Sequence, residues 1–233
     1  MKELVLVFGE LCLMMSVGVL ASGSGTDLQS IIDASEDKKI DAKVALVISD
    51  NEQAFALKRA EKHGIKDVFV NPKGLNRKEY DQKLDEIFTK HDVSLVVGAG
   101  YMRLLSDWFV EKWFGKLINI HPALLPSFKG VHAQKDALDY GVKISGCTTH
   151  FVDTEMDHGP IILQAAVMVK EGDSKEELKQ RILDVEHQIL PRTIQLFVEK
   201  RLKIKGRRVH IKPGSSWKEK YELFADVLYP DGY

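Results

Sequence analysis

Cysteine is scarce in this chain. Two cysteines, Cys12 and Cys147, among 233 residues cannot build a disulfide framework or a four-cysteine zinc site. Such a chain suits a reducing compartment, and a cytoplasmic location is expected. An excess of charge of one sign is lacking too. Lys and Arg total 33 against 34 Asp and Glu, a net of −1, so no bulk positive field attracts nucleic acid. No apolar run reaches the ~20 residues needed to span a bilayer. Repeats, low-complexity segments and linkers are missing, which favours one domain over two. What is present, 44% hydrophobic and 29% charged residues, is ordinary for a globular protein and excludes disordered and collagen-like chains. The length suits one large α/β domain.

The first residues admit three readings. Residues 1–21 carry features of a secretory leader: Lys2, an apolar stretch over 11–20, and Val19-Leu20-Ala21 as a cleavage site. Glu3 and Glu10 interrupt that pattern. Residues 16–20 instead read as a buried strand feeding a glycine-rich turn, and cleavage after Ala21 would remove it. A natural start at Met14 or Met15 would make the preceding residues an extension. The strand reading divides the chain into an extension over 1–14, a single domain over 15–211 and a tail over 212–233.

Beyond the first strand, β-rich runs alternate with helical spacing. Leu28, Ile31 and Ile32 stand at i, i+3, i+4 and predict a helix. Residues 44–48 read as a strand, 54–63 as a helix and 67–70 as a short strand. Asn76 with Glu79 has capping-box form and opens a helix through Leu84 and Ile87. Residues 94–98 are a continuous apolar run typical of a central parallel strand. A helix over 106–113 then leads to a strand over 116–120. This rhythm predicts an α/β fold with a doubly wound, mostly parallel sheet whose N-terminal half is Rossmann-like. After residue 121 the rhythm changes. A helix over 131–140 precedes two strands, 144–152 and 161–169, expected to be antiparallel. Ser174 with Glu177 opens a long C-terminal helix with an apolar stripe at Leu178, Ile182, Val185 and Ile189. Pro191 is expected to kink or interrupt it. Residues 202–211 resemble a basic hairpin, read as a solvated face.

Three constellations carry chemistry. Ser22-Gly23-Ser24-Gly25-Thr26-Asp27-Leu28 follows a strand and opens a helix, where free N–H groups and the helix dipole favour a phosphate. It has no Lys after Gly25 and no third glycine, so a mononucleotide or sugar phosphate fits better than NAD. An ordinary turn capped by Thr26 or Asp27 remains the alternative. Asn119-Ile120-His121-Pro122 ends a central strand, where open α/β sheets bind ligands. Strand alternation sends Asn119 and His121 to one side, as donors for a developing oxyanion. Asp157 lies in a loop between two strands; near His121 it would keep that imidazole cationic. A satisfied structural histidine and a solvated loop acid are the bland counterparts. His121, His150, Asp157 and His158 lack the spacing of a metal motif, and no metal is expected.

Around these lie further segments: residues 99–106, the twelve residues 119–130, residues 146–152 and residues 157–163. In this order and spacing they resemble the folate-dependent formyltransferase family, in particular the glycinamide ribonucleotide formyltransferases of purine biosynthesis, over residues 15–211. The resemblance implies transfer of the formyl group of 10-formyltetrahydrofolate to the amine of glycinamide ribonucleotide, through a tetrahedral oxyanion. It implies catalytic roles for Asn119, His121 and Asp157, with Asp157 relaying protons through water. Thr148 and His150 would support that water and Asp157. Gly25, Thr26 and Asp27 would hold the substrate phosphate through their backbone, and Glu186 the ribose. Met102, Arg103, Leu104, Leu105, Val152 and Asp153 would form the folate site, with Arg77 meeting the folate glutamate. Two positions depart from the family: Asp27 stands where Asn is common, and His158 replaces a small residue.

The resemblance also sets rivals. Formyltetrahydrofolate hydrolases share the core and usually add an N-terminal regulatory domain, for which the 14 residues before the first strand are too few. Methionyl-tRNA formyltransferases normally add an RNA-binding domain. A non-catalytic folate or nucleotide sensor would have no need of all three catalytic groups. The expected partners are the two small molecules, without nucleic acid or membrane, in a monomer or homodimer.

Overall fold

A computed structural model describes residues 14–214. Residues 1–13, with Cys12 and most of the extension, and residues 215–233, nearly all of the tail, therefore lie outside the described residues; the leader reading over 1–21 lies partly outside them, and its last part coincides with the first strand. The chain runs β1 (Met15–Leu20), α1 (Thr26–Glu36), β2 (Ala42–Ser49), α2 (Phe55–Lys62), β3 (Lys66–Phe69), α3 (Arg77–Lys90), β4 (Leu95–Gly98), α4 (Asp107–Lys112) and β5 (Leu117–His121). It continues through α5 (Ala133–Tyr140), β6 (Ile144–Phe151), β7 (Ile161–Met168), α6 (Lys175–Val198), β8 (Leu202–Lys205) and β9 (Arg208–Ile211). The nine described strands form one sheet in the order β3-β2-β1-β4-β5-β6-β7-β9-β8.

The first five strands pair in parallel, and β6 and β7 follow antiparallel, as the change of rhythm predicts. Each central strand feeds two cores because its side chains alternate. Val17, Val19, Val47 and Val97 face α1, α2 and α6, while Leu20, Leu46, Ile48 and Val96 face α3 and α4. That two-sided burial explains why the strands read as continuous apolar runs. Both capping boxes form, with Asn76 and Ser174 as N-caps.

Two expectations change. The long helix is not interrupted at Pro191 but runs unbroken from Lys175 to Val198. Proline removes one backbone donor, yet Ile189, Leu190, Ile194 and Leu196 are buried on both sides of it, so packing holds the helix together. The basic hairpin is also more than a solvated face. Its strand β9 joins β7 through Ile161 and Arg208 and extends the main sheet.

The strand order reverses between β1 and β4, which opens a crevice at their C-terminal ends. Loops from both strands meet there. Ser22 N–H donates to the Gly100 carbonyl at 3.0 Å, and Met102 N–H donates to Ser22 Oγ at 2.9 Å.

Candidate active site

The register of β5 and β6 sets the first half of the site. Asn119 lies opposite His150 and His121 opposite Thr148, so directly facing side chains can touch. His150 is buried, and burial lowers its imidazole pKa, which favours the neutral ring. Its Nδ1 lies 3.0 Å from the Phe151 carbonyl and so carries the proton. Its Nε2 is left to accept from the Asn119 amide at 3.3 Å. That bond fixes which way the Asn119 amide faces. Behind it, Gly98 makes room: a Cβ there would fall 2.7 Å from Asn119 Oδ1.

Asp157 reaches the same cluster from the loop between β6 and β7. Its Oδ2 accepts from Gly130 N–H at 2.8 Å and lies 3.4 Å from His121 Nδ1. Its Oδ1 is 4.0 Å from His150 Nε2. The three groups singled out in the sequence therefore converge, with His150 joining them. His121 has a second acceptor. Its Nε2 donates to the Phe128 carbonyl at 2.8 Å, so an acceptor faces each ring nitrogen. Nothing in the sequence pointed to that carbonyl.

Thr148 serves the loop that follows His121. Its hydroxyl donates to the Ala123 carbonyl at 2.7 Å and accepts from Leu125 N–H at 3.1 Å and Gln164 Nε2 at 3.0 Å. Gln164 also donates to the Leu125 carbonyl at 2.9 Å. Sequence reasoning missed Gln164; the available signal was a polar residue inside a strand otherwise written in apolar letters.

The second half of the site lies at the start of α1. Gly25 is the N-cap, in the left-handed region at φ 68°, and makes no side-chain cap. The capping alternatives at Thr26 and Asp27 are thereby replaced. Glycine is required twice over: φ is positive, and a Cβ would sit 2.8 Å from Ala56. The uncapped first-turn N–H groups form an anion-accepting end. Arg59 of α2, another residue missed in the sequence, braces the loop by donating from Nε to the Ser24 carbonyl at 2.9 Å.

Beneath that loop sit Asp27, Glu186 and His187. Burial pushes the Asp27 carboxyl up to about 6. Burial, with the charge of Asp27 second, pushes Glu186 well above the usual carboxylate range. His187 Nε2 lies 3.7 Å from Asp27 Oδ1, yet neither atom has a hydrogen-bond partner among the described residues. Burial lowers the His187 pKa. Desolvation therefore outweighs attraction here, and the contact favours neutral partners over an ion pair.

The folate segment predicted from the sequence borders the same crevice. Met102 and Leu104 are exposed, while Leu105 and Val152 pack with Tyr101 and Trp108 against the α3/α4 core. The Arg103 guanidinium lies over the Tyr80 ring at 4.7 Å. Arg77 opens α3 and, like Arg103, acts electrostatically on Asp81. Asp153 turns its carboxylate into its own loop, accepting from Glu155 N–H at 3.1 Å. Among the described residues no group of three or more His, Cys, Asp or Glu is placed to hold a metal, and no helix is long and apolar enough to cross a membrane.

Comparison with known proteins adds family evidence. A model of the formyl transferase family matches residues 15–194. The trifunctional purine biosynthetic protein adenosine-3 of Bos taurus is 46% identical over 181 residues, which cover 77% of this chain and 18% of that protein. The phosphoribosylglycinamide formyltransferase of Escherichia coli K12 is 41% identical over 191 residues, covering 82% of this chain and 90% of that one. The crystal structure of glycinamide ribonucleotide transformylase 1 from Symbiobacterium toebii superposes with a TM-score of 0.85 at 47% identity, covering 88% and 97%. The chain thus spans only 18% of the trifunctional relative's length.

Proposed function

This chain belongs to the formyl transferase family, and on that premise we propose that it transfers the formyl group of 10-formyltetrahydrofolate to the amine of glycinamide ribonucleotide, in purine biosynthesis. The observation that carries the proposal is the convergence of Asn119, His121 and Asp157 at the end of β5, with Asp157 Oδ2 3.4 Å from His121 Nδ1 and Asn119 hydrogen-bonded to the intervening His150.

The co-substrate supplies an activated formyl carbon, and the ribonucleotide amine attacks it. The roles of this chain's residues follow from their donors. Asn119, held by His150, offers an amide N–H to the oxygen that gains negative charge. His121 offers Nε2–H, shared in this structure with the Phe128 carbonyl. Such preorganised donors are each worth roughly 10²–10³ in rate because they need no reorganisation as charge develops. Asp157 faces His121 and takes the proton that the attacking amine loses. It returns that proton, through water, to the folate nitrogen as the carbon–nitrogen bond breaks.

The folate site is proposed along Met102, Arg103, Leu104, Leu105, Val152 and Asp153. Exposed apolar side chains beside a stacked guanidinium suit a flat heteroaromatic ring. Arg77, at the mouth, offers charge to the folate glutamate. The α1 end, with the backbone of Gly25, Thr26 and Asp27, holds the phosphate, and Glu186 the ribose. We take residues 15–211 as one domain acting in the cytoplasm, where the buried free thiol of Cys147 stays reduced.

A spectrophotometric assay with 10-formyltetrahydrofolate, with and without glycinamide ribonucleotide, tests the proposal. Folate release that requires the ribonucleotide supports a transferase. Equal release without it identifies a hydrolase, and binding with no release in either case identifies a sensor.

A further inference from the structure

The loop that presents Asp157 leaves the sheet after Phe151 and re-enters at Ile161. Asp157 sits on it at φ 47°, a left-handed conformation that is strained for a non-glycine residue. The placement is also demanding, because one oxygen, Oδ2, meets both Gly130 N–H and His121 Nδ1. Something must hold the loop in that shape.

The base of the loop is held by backbone. Phe151 N–H donates to the Pro160 carbonyl at 2.9 Å. Gly159 lies so close behind that a Cβ would fall 1.7 Å from the Phe151 oxygen. The outer part is held by side chains. Asp153 Oδ1 accepts from Glu155 N–H, and Asp153 Oδ2 lies 2.8 Å from His158 Nδ1. One carboxylate therefore ties the start of the loop to the residue immediately after Asp157. A carboxylate at that distance requires the proton on Nδ1. Arg207, 3.4 Å from the same nitrogen, is then a neighbouring cation and not a donor to the ring. It arrives because β9 is seated against β7. Glu155, 3.9 Å away, is the remaining charged group facing the ring.

We propose that His158 is a positioning residue: with Asp153 it forms a clasp that holds Asp157 in register with His121. This rests on the transferase reading of the site. Neither clasp residue touches the reacting atoms, but Asp153 also borders the proposed folate site, so the His158 variants are the ones that isolate the geometry of Asp157. Misplacing a catalytic group by about 1 Å costs up to ~10²-fold in rate.

The test is kinetic and structural together. His158→Ala is expected to lower kcat about 10- to 100-fold while leaving both KM values within about threefold. His158→Asn keeps an N–H where Nδ1 stands and is expected to restore most of kcat. Asp153→Asn is expected to lower kcat too, and the double variant His158→Ala/Asp153→Asn no further than the worse single variant, the signature of two groups acting as one. An unchanged kcat in His158→Ala, equal losses in His158→Ala and His158→Asn, or additive losses in the double variant would overturn the clasp. Amide hydrogen exchange over residues 153–159, read in the folded protein without substrates, separates this failure from failure of the transferase reading. Exchange at least about tenfold faster in His158→Ala, a loss of local protection, supports the clasp even if the wild-type chain has no transferase activity. Unchanged exchange refutes it.

Discussion

The two ends of the site are finished to different degrees. At the end of β5, Asn119, His121, His150 and Asp157 each have at least one partner from the protein itself. At the start of α1, Asp27 Oδ1 and His187 Nε2 are buried without hydrogen-bond partners among the described residues. Buried polar atoms without partners are uncommon and call for an explanation. The contrast matches the division of labour proposed above. Groups that meet charge as it develops work best when already fixed, because reorganisation during the reaction costs rate. Groups that hold a ground-state substrate can be left for the substrate to complete.

That contrast can be broken by substitutions that move one end and not the other. The largest expected effect is His121→Ala, which should lower kcat by about 10³ through loss of a preorganised donor. KM for the ribonucleotide should stay within a few-fold in steady-state kinetics; a rise in KM alone would merge the two ends into one.

Asp27→Asn should act on stability and depend on pH. Its folded pKa is raised from 3.8 to about 6, so the fold favours the protonated form. That contribution is fully present below about 4, the unfolded value, and is lost as pH rises through about 6. Asn mimics the neutral form at every pH. The variant should therefore be more stable than the parent by up to about 3 kcal/mol at pH 8 and equal to it near pH 4, about two pKa units of difference. Denaturant unfolding at the two pH values reads this directly. A gain of the same size at both would refute the burial argument.

Gly98→Ala comes next, with a Cβ only 2.7 Å from Asn119 Oδ1. Displacing that amide should cost about 10-fold or more in kcat, with substrate affinity at the α1 end unchanged. Thr148→Val should have the smallest effect, about 1 kcal/mol of stability, since it removes a buried hydroxyl that donates to the Ala123 carbonyl and accepts from Leu125 N–H and Gln164 Nε2, while the direct bond from Leu125 N–H to the Ala123 carbonyl at 3.1 Å remains. Chemical denaturation measures it, and an undiminished stability would mean that the loop after His121 does not depend on this hydroxyl.

The comparison also separates what could be read from the sequence. The strands were legible because both faces of the sheet are buried, so residues such as Leu95 to Val97 spell an apolar run. The helix starts at Asn76 and Ser174 were legible because capping is local. Convergence of Asn119 with His121 followed from strand period, and the distances to Asp157 agree with it. Contacts made by side chains distant in sequence were not legible. Gln164 meets the His121 loop, Arg59 braces Ser24 and Arg207 approaches His158 only because the sheet order brings their elements together. The state of Asp27 was equally hidden. Its letter spells a charge, whereas burial in the folded chain decides the cost of that charge.

The central claim is that the cluster at the end of β5 performs the chemistry and leaves binding to the rest of the site. Steady-state kinetics of Asn119→Ala with both substrates tests it most directly. The account predicts a kcat lower by roughly 10²–10³ with both KM values nearly unchanged. An unchanged kcat, or a loss confined to KM, would contradict it.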